Sequence, residues 1–528
     1  MPPTVTFLSR LKILLQKGFM LPWHPFLLTL YAIIFFLGSN ISQVNLNVAN
    51  RLILIFTLST LLLILFVRIL TSDFQKSGVL TLLVLIFFFS YGHLRTYLNL
   101  HIPILAMNKF LLPSLFVLLA AGVIIVRKLS RTAILALTQY LNMVGIILFM
   151  FPVISILRYQ SKVADYQRSI FVETVGQAHI QNTHYDALPD VYFIVLDGYG
   201  RADVLEKDFG LDNSGFLNDL QKRGFYTAEC SMSNYDQTEL SFSSTFNMTY
   251  LDNIIAKLPA GDLSPLYFAP YIKHNQVRTF FESLGYKTVA FFTGYYWTHW
   301  DDATYFLGDP RNNLTESSIS PFEETFLKTT LFRLFSDTVT SLGNSPASQA
   351  NANISLFTLN ELPIISQVRG PKFVFAHIML PHPPYVFDQN GKIRDLGIDK
   401  LSPSDPTRNE LIRIGYHDQV LFVNKRILPI IDTILSQTNG NVIIIMEGDH
   451  GPPDAQEEQG NMENLSAYYF PNQDYSSLYP TITPVNIFRI ILTDYFGQNY
   501  PLLEDKSYYS ATSAERTFTL IPNTCNQK

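Results

Sequence analysis

Charge is what this sequence has least of. Only 15% of its 528 residues are Asp, Glu, Lys or Arg, against 48% hydrophobic. That is too few for an ordinary soluble protein of this length. Cysteine is scarcer still, with Cys230 and Cys525 alone. Two cysteines are too few for a disulfide framework and lack the paired spacing of a metal site, so they organise little. A formal net charge of −5 gives no reason to expect a nucleic-acid partner.

The charge deficit is local. From about Leu21 to Leu157 the chain is a series of apolar runs long enough to span a bilayer, separated by short polar breaks. Five spans are expected, at about 21–38, 52–70, 78–94, 109–126 and 133–157, making residues 1–157 a polytopic α-helical membrane domain. With the N-terminus inside, the cytoplasmic segments carry Arg10, Lys12, Lys17, Arg68, Lys76, Arg127, Lys128 and Arg131, and the outer loops only Arg51, Arg95 and Lys109. That asymmetry is what the positive-inside rule expects, and it puts everything after Leu157 outside the cytoplasm of a plasma or inner membrane. No small-residue cleavage site follows the first run, so it does not read as a cleavable signal peptide.

Residues 158–188 are polar and aperiodic and read as a linker. In the remainder, 189–528, apolar strand patterns at 191–196, 287–293, 372–378 and 441–446 are interleaved with helical patterns at 212–223, 276–284, 408–436 and 484–496. This alternation predicts an α/β domain with a mostly parallel sheet covered by helices on both faces. An Asn/Ser-rich region at 311–356 reads as an insertion around one amphipathic helix, Phe326 to Leu342.

Open α/β sheets put their chemistry at the carboxyl ends of their strands. Here Val442-Ile-Ile-Ile-Met-Glu-Gly stops at Asp449-His450-Gly451, and Val191-Tyr-Phe-Ile-Val-Leu196 runs into Asp197-Gly198. A lone acidic residue after a strand is more often a cap or turn former than a ligand, but two such strands make Asp197, Asp449 and His450 candidates for holding a metal ion. Between them lies Ser233-Asn-Tyr-Asp-Gln-Thr-Glu-Leu-Ser-Phe-Ser-Ser, with Thr238 near the start of a helix. A hydroxyl there sits at the positive end of the helix dipole beside free N–H groups, although Thr238 as a simple N-cap fits the same residues.

The order of these parts resembles the alkaline phosphatase/sulfatase superfamily. The resemblance covers about 189–500 and rests on Asp197-Gly198, the hydroxyl at a helix start, the segment Phe375-Ala-His-Ile-Met-Leu-Pro-His-Pro-Pro-Tyr385, and Asp449-His450-Gly451. With membrane spans in front, it is most similar to the branch of lipoteichoic-acid synthases and phosphoethanolamine transferases. By position the resemblance implies Asp197, Thr238, Asp449 and His450 as ligands of one divalent ion (Mn, Zn or Mg). It also makes Thr238 the nucleophile and His382 the histidine that contacts the transferred group. Two carboxylates and one imidazole suit Zn²⁺ or Mn²⁺ better than Mg²⁺. His382 can equally be a loop histidine bonded to backbone between prolines.

Some features depart from better-known members. Cys230 is followed by Ser-Met-Ser-Asn, not by the Pro and Arg that formylglycine sulfatases need. The loop Phe291-Phe-Thr-Gly-Tyr-Tyr-Trp-Thr-His-Trp-Asp-Asp302 resembles the family's substrate loop and offers His299 and Trp300 as substrate contacts, where a phosphate binder would prefer Arg. The resulting expectation is a metal-dependent enzyme that transfers or hydrolyses a phosphate-type ester, such as a phosphoglycerol or phosphoethanolamine group, on a membrane lipid or envelope glycan. The rivals are a sulfatase-like hydrolase of sulfate or phosphate esters and, in another class, a catalytically inactive lipid-binding regulator.

Overall fold

The structure is a computed structural model that describes residues 20–174, 188–258, 264–308, 319–335, 346–398, 401, 405–510 and 518–525. The chain divides into two units, Met1–Lys162 with Ile319–Leu342, and Val163–Ser318 with Gly343–Lys528. The expected boundary at 189 therefore gives way to an interleaved one, because part of the insertion belongs with the N-terminal helices.

Among the described residues, four helical stretches are long and apolar enough to cross a membrane: Leu46–Thr71, Phe74–His101, Asn108–Lys128 and Arg131–Gln167. The first expected span is the helix His24–Ser39, whose 16 residues fall short of that length. At 1.5 Å per residue it is about 24 Å long, against a hydrocarbon core of roughly 30 Å. The third expected span is carried by a helix of 28 residues, started by Asp73, whose carboxylate accepts the N–H groups of Gln75 and Lys76. The last helix runs Arg131–Thr174, so the first half of the expected linker is helical. Residues 158–174 contain neither Gly nor Pro, and nothing in them stops a helix already under way. The rest of that linker lies outside the described residues.

The C-terminal unit is built on a seven-stranded sheet in the order β2-β7-β6-β1-β5-β3-β4. Its centre is β6 (Val442–Glu447), β1 (Asp190–Leu196), β5 (Lys372–Ile378) and β3 (Lys287–Phe291), all parallel and all foreseen as apolar runs. The first three are buried along their whole length, as parallel strands covered on both faces must be. On one face Tyr192, Ile194 and Leu196 share a core with Tyr416, Val420 and Ile427 of the helix Pro406–Gln437. On the other, Phe193 meets Phe246 and Phe488, from the helices Thr238–Asn247 and Pro484–Phe496.

Three short strands were not foreseen. β2 (Tyr226–Thr227) and β7 (Ser466–Tyr469) make one edge antiparallel, and β4 (Tyr305–Leu307) extends the other. A C-terminal hairpin of β8 (Ser507–Ser510) and β9 (Phe518–Ile521) leads back to Cys525, which is disulfide-bonded to Cys230. The two cysteines thus do organise something: they tie the C-terminus to the segment that leads to Thr238. Cys525→Ser should destabilise this unit by about 2–4 kcal/mol, read as a lowered unfolding midpoint of the detergent-solubilised protein. An unchanged midpoint would leave the bond without structural weight.

Candidate metal and catalytic site

β1 and β6 are neighbours in register, with Val195 opposite Glu447, so the residues just beyond them, Asp197 and Asp449, emerge side by side. Both are buried. The turn that follows β1 needs Gly198, whose φ is +67° and whose backbone N–H donates to Asp449 Oδ1 at 3.0 Å. Gly448 is needed for a different reason: a Cβ there would lie 2.4 Å from the Tyr199 carbonyl oxygen. Beneath the turn, the Tyr416 hydroxyl accepts from Gly200 N–H (3.0 Å) and donates to the Gly198 carbonyl (2.9 Å). Tyr199, Asn213 and Asn424 close a second buried network beside it.

Each carboxylate has one oxygen engaged and one without a partner. Asp197 Oδ2 accepts from His377 Nε2 at 3.0 Å, while Asp197 Oδ1 and Asp449 Oδ2 are buried and unpaired. His450 Nε2 stands 3.7 Å from Asp197 Oδ1 and 3.6 Å from Asp449 Oδ2. Its Nδ1–H donates to the Gly451 carbonyl at 2.7 Å, which leaves the Nε2 lone pair aimed at the two orphaned oxygens. His382, in the loop after β5, donates from Nδ1 to the Pro383 carbonyl at 2.6 Å and likewise turns Nε2 free. Its own N–H bonds the Asp197 carbonyl at 3.0 Å. Asp197, His382 and His450 form one group able to hold a cation, and Asp197, His377 and Asp449 a second. Ligand atoms around a tetrahedral ion at 2.0–2.2 Å sit about 3.4 Å apart, close to the His450 spacings. Buried carboxylate oxygens without donors are costly unless a cation takes them, so the residues fit a divalent metal.

The electrostatics agree. Burial alone would raise Asp197, but the imidazoles of His382, His377 and His450 outweigh it and hold the carboxyl well below its usual range. Burial alone would lower His450, yet the charges of Asp449 and Asp197 outweigh it and raise it.

Thr238 opens the helix Thr238–Asn247 as its first residue; the cap position belongs to Gln237, which makes no side-chain cap bond. The N-cap alternative for Thr238 is therefore removed. Its side chain is half-buried, whereas Ser241, Ser243, Ser244 and Thr245 of the same helix are buried. Ser241 Oγ donates to the Asp449 carbonyl at 2.7 Å and clamps the helix to the candidate ligands.

Two expected substrate contacts lie elsewhere. Trp300 is fully buried against Phe246, Phe373 and Phe375, with Nε1–H donating to the Ile272 carbonyl at 2.8 Å; it is a core residue and cannot face substrate. His299 is buried between Phe292 and Phe306, and its Nε2 accepts from Thr293 N–H at 3.2 Å. Neither joins the candidate ligands. From that loop it is Tyr295 whose hydroxyl is raised, by burial first and then by the charge of Asp197.

Three further residues were missed. His377 sits inside β5, and a polar residue near the carboxyl end of an apolar strand was the available signal. Glu239 is pushed up to about 7 and Asp236 to about 6, each by burial first; both lie within electrostatic reach of His450. Asp236 is braced by the C-terminal hairpin, accepting Ser510 N–H at 3.2 Å, while Tyr508 N–H bonds the Asn234 carbonyl at 2.9 Å.

No protein-family model and no curated protein matches the chain. Among solved structures it is similar to the zinc-bound C-terminal periplasmic domain of EptC from Escherichia coli, at 11% identity and a TM-score of 0.41, over 65% of this chain and 94% of that one. It is similar to the integral membrane lipooligosaccharide phosphoethanolamine transferase A of Neisseria meningitidis, at 13% identity and a TM-score of 0.37, over 89% and 95%. A putative sulfatase of Bacteroides fragilis follows, at 14% identity and a TM-score of 0.35, over 60% and 75%. Likeness at this level assigns no activity, and the chemistry rests on the site's own residues.

Asp449→Asn and His450→Ala should each abolish divalent-metal content of the purified protein, and His377→Ala, which removes the bond to Asp197 Oδ2, should weaken affinity by about 10–100-fold. Elemental analysis and metal titration check both. Full occupancy in Asp449→Asn would remove that residue from the ligand set.

Proposed function

We propose that this chain is a membrane-anchored, metal-dependent enzyme that transfers or hydrolyses a phosphate-type ester on a lipid or envelope glycan, with Thr238 as nucleophile and its C-terminal unit outside the cytoplasm. The observation that carries the reading is the helix Thr238–Asn247, whose first residue is a half-buried threonine and whose next turn is fastened by Ser241 to the backbone of Asp449. Asp197, Asp449, His450 and Thr238 would hold the ion. When bound it supplies a positive charge that acidifies a hydroxyl and offsets charge on phosphoryl oxygens.

The remaining work falls to the protein. Thr238 Oγ forms a bond to phosphorus as the bond from phosphorus to the leaving oxygen breaks, and the hydroxyl proton ends on that leaving oxygen. His382 Nε2, freed by the bond its Nδ1 makes to Pro383, is the group to hold the proton in transit. A water or acceptor hydroxyl then displaces Thr238 Oγ in the reverse sense, giving hydrolysis or transfer. The helix N-terminus adds free N–H groups and a positive dipole end for the anion.

The disulfide supports two parts of the reading. It belongs to an oxidising compartment, in keeping with an extracytoplasmic C-terminal unit. It also commits Cys230, which argues against a cysteine-derived formylglycine nucleophile there. Retention of every candidate ligand speaks against an inactive regulator.

Thr238→Ala should fold, reach the membrane and keep the Asp197–His377 pair, yet lose turnover by roughly three orders of magnitude or more, while Ser241→Ala retains much of it. Substrates for the assay come from mass spectrometry of lipids and glycans of cells with and without the gene. Trapped adduct mass on a 233–248 peptide should map to Thr238. If Ser241→Ala died and Thr238→Ala stayed active, the nucleophile would have to be placed one turn along.

A further inference from the structure

The stretch 319–335, Ile-Ser-Pro-Phe-Glu-Glu-Thr-Phe-Leu-Lys-Thr-Thr-Leu-Phe-Arg-Leu-Phe, lies in sequence between β4 and the helix Pro346–Glu361 of the C-terminal unit, yet it folds with the N-terminal unit. Ser320 and Glu323 start a short helix, Pro321–Lys328, through a reciprocal capping box. Phe322 and Phe326 are then buried in one cluster with Ile33, Leu37, Leu52, Phe56, Leu85 and Phe89, from three apolar helices. Phe326 stands 5.6 Å from both Phe36 and Phe56, and Phe332 stands 5.3 Å from Phe88, ring centre to ring centre.

Apolar packing alone would be a weak argument, but the backbone is engaged as well. Leu331 N–H donates to the Phe88 carbonyl at 2.8 Å and Gly92 N–H donates to the Thr329 carbonyl at 3.0 Å. A turn at membrane depth is tolerated only when its polar groups are satisfied by protein. The approach is possible only at a glycine: a Cβ on residue 92 would lie 2.3 Å from the Lys328 carbonyl oxygen and 2.4 Å from the Thr329 carbonyl carbon, both backbone atoms. On either side, Arg51 pairs with the buried carboxylate of Glu323 (Nε to Oε1, 2.6 Å), and Arg333 donates to Thr96 Oγ1 at 2.6 Å. Phe332 and Phe335 remain exposed, as do Tyr97 and Leu100 on the helix that carries Gly92.

We infer that residues 319–335 are a second membrane anchor: a re-entrant piece of the C-terminal half, seated in a glycine notch of the helix Phe74–His101 and presenting Phe332 and Phe335 to lipid acyl chains. Membrane attachment of the C-terminal half then does not depend on the covalent connection through 175–187 alone. This holds whatever reaction the site performs.

The test uses the full-length protein in native membranes with a protease site inserted between residues 180 and 181. After cleavage, the C-terminal fragment of the otherwise unchanged protein should sediment with the membranes. Gly92→Leu, which has no room for its side chain, should release it. Glu323→Arg should raise the soluble fraction roughly tenfold or more by setting a buried cation against Arg51, and Glu323→Arg with Arg51→Glu should restore retention. Release of the fragment without any substitution overturns the inference, as does retention in both Gly92→Leu and Glu323→Arg.

Discussion

Two carboxylates at adjacent strand ends, each with a buried oxygen that no donor satisfies, set the terms for this molecule. Unit charges about 4 Å apart repel by about 4 kcal/mol at an effective dielectric of 20, and removing both from water adds to that. The structure answers with three imidazoles around Asp197. Imidazoles can yield their lone pairs to a metal, whereas lysine or arginine would neutralise the cradle permanently. The arrangement is stable enough to fold and incomplete enough to bind.

Holding two like charges in place requires a rigid frame, and most of the unit's buried polar chemistry supplies one. The β1 and β6 ends are fixed by parallel register, the turn after Asp197 by Tyr416 on both sides, and the Asp449 backbone by Ser241. The far end of the chain contributes too. The hairpin of β8 and β9, closed by Cys230–Cys525, bonds the backbone of Asn234 and the carboxylate of Asp236, just before the helix that opens with Thr238. The candidate site thus depends on contacts spread from Asp190 to Cys525.

The parallel centre of the sheet was legible because strands buried on both faces are written as continuous apolar runs; β1, β3, β5 and β6 lie within a residue or two of where those runs predict them. Their edges were not, since β2, β4 and β7 have two to four residues and no periodicity can show in so few. Asp197, Asp449 and His450 could be read because they interrupt such runs. His377 could not be weighed, since it hides inside one. Trp300 misled for the opposite reason: an aromatic beside a histidine in a loop looks like a binding face until its contacts are known. The insertion misled most, because Phe326 and Phe332 fall in the amphipathic helix expected from Phe326 to Leu342, and only the notch at Gly92 shows what this segment meets.

The helix Thr238–Asn247 shows why its hydroxyls could not be told apart from sequence and how the fold separates them. A surface helix has an apolar stripe and a wet face, and hydroxyls on the wet face are interchangeable. This helix is buried from Glu239 to Asn247 and has no wet face, so its hydroxyls are sorted by depth instead. Ser241 is spent on the Asp449 carbonyl, Ser244 on the Thr249 carbonyl, and Ser243 is sealed without a partner. Thr238 stands at the one end where the helix opens toward solvent, at the positive pole of its dipole and one turn from the clamp. Burial of the helix body keeps its inner hydroxyls in the core, and partial exposure of its first residue leaves Thr238 accessible.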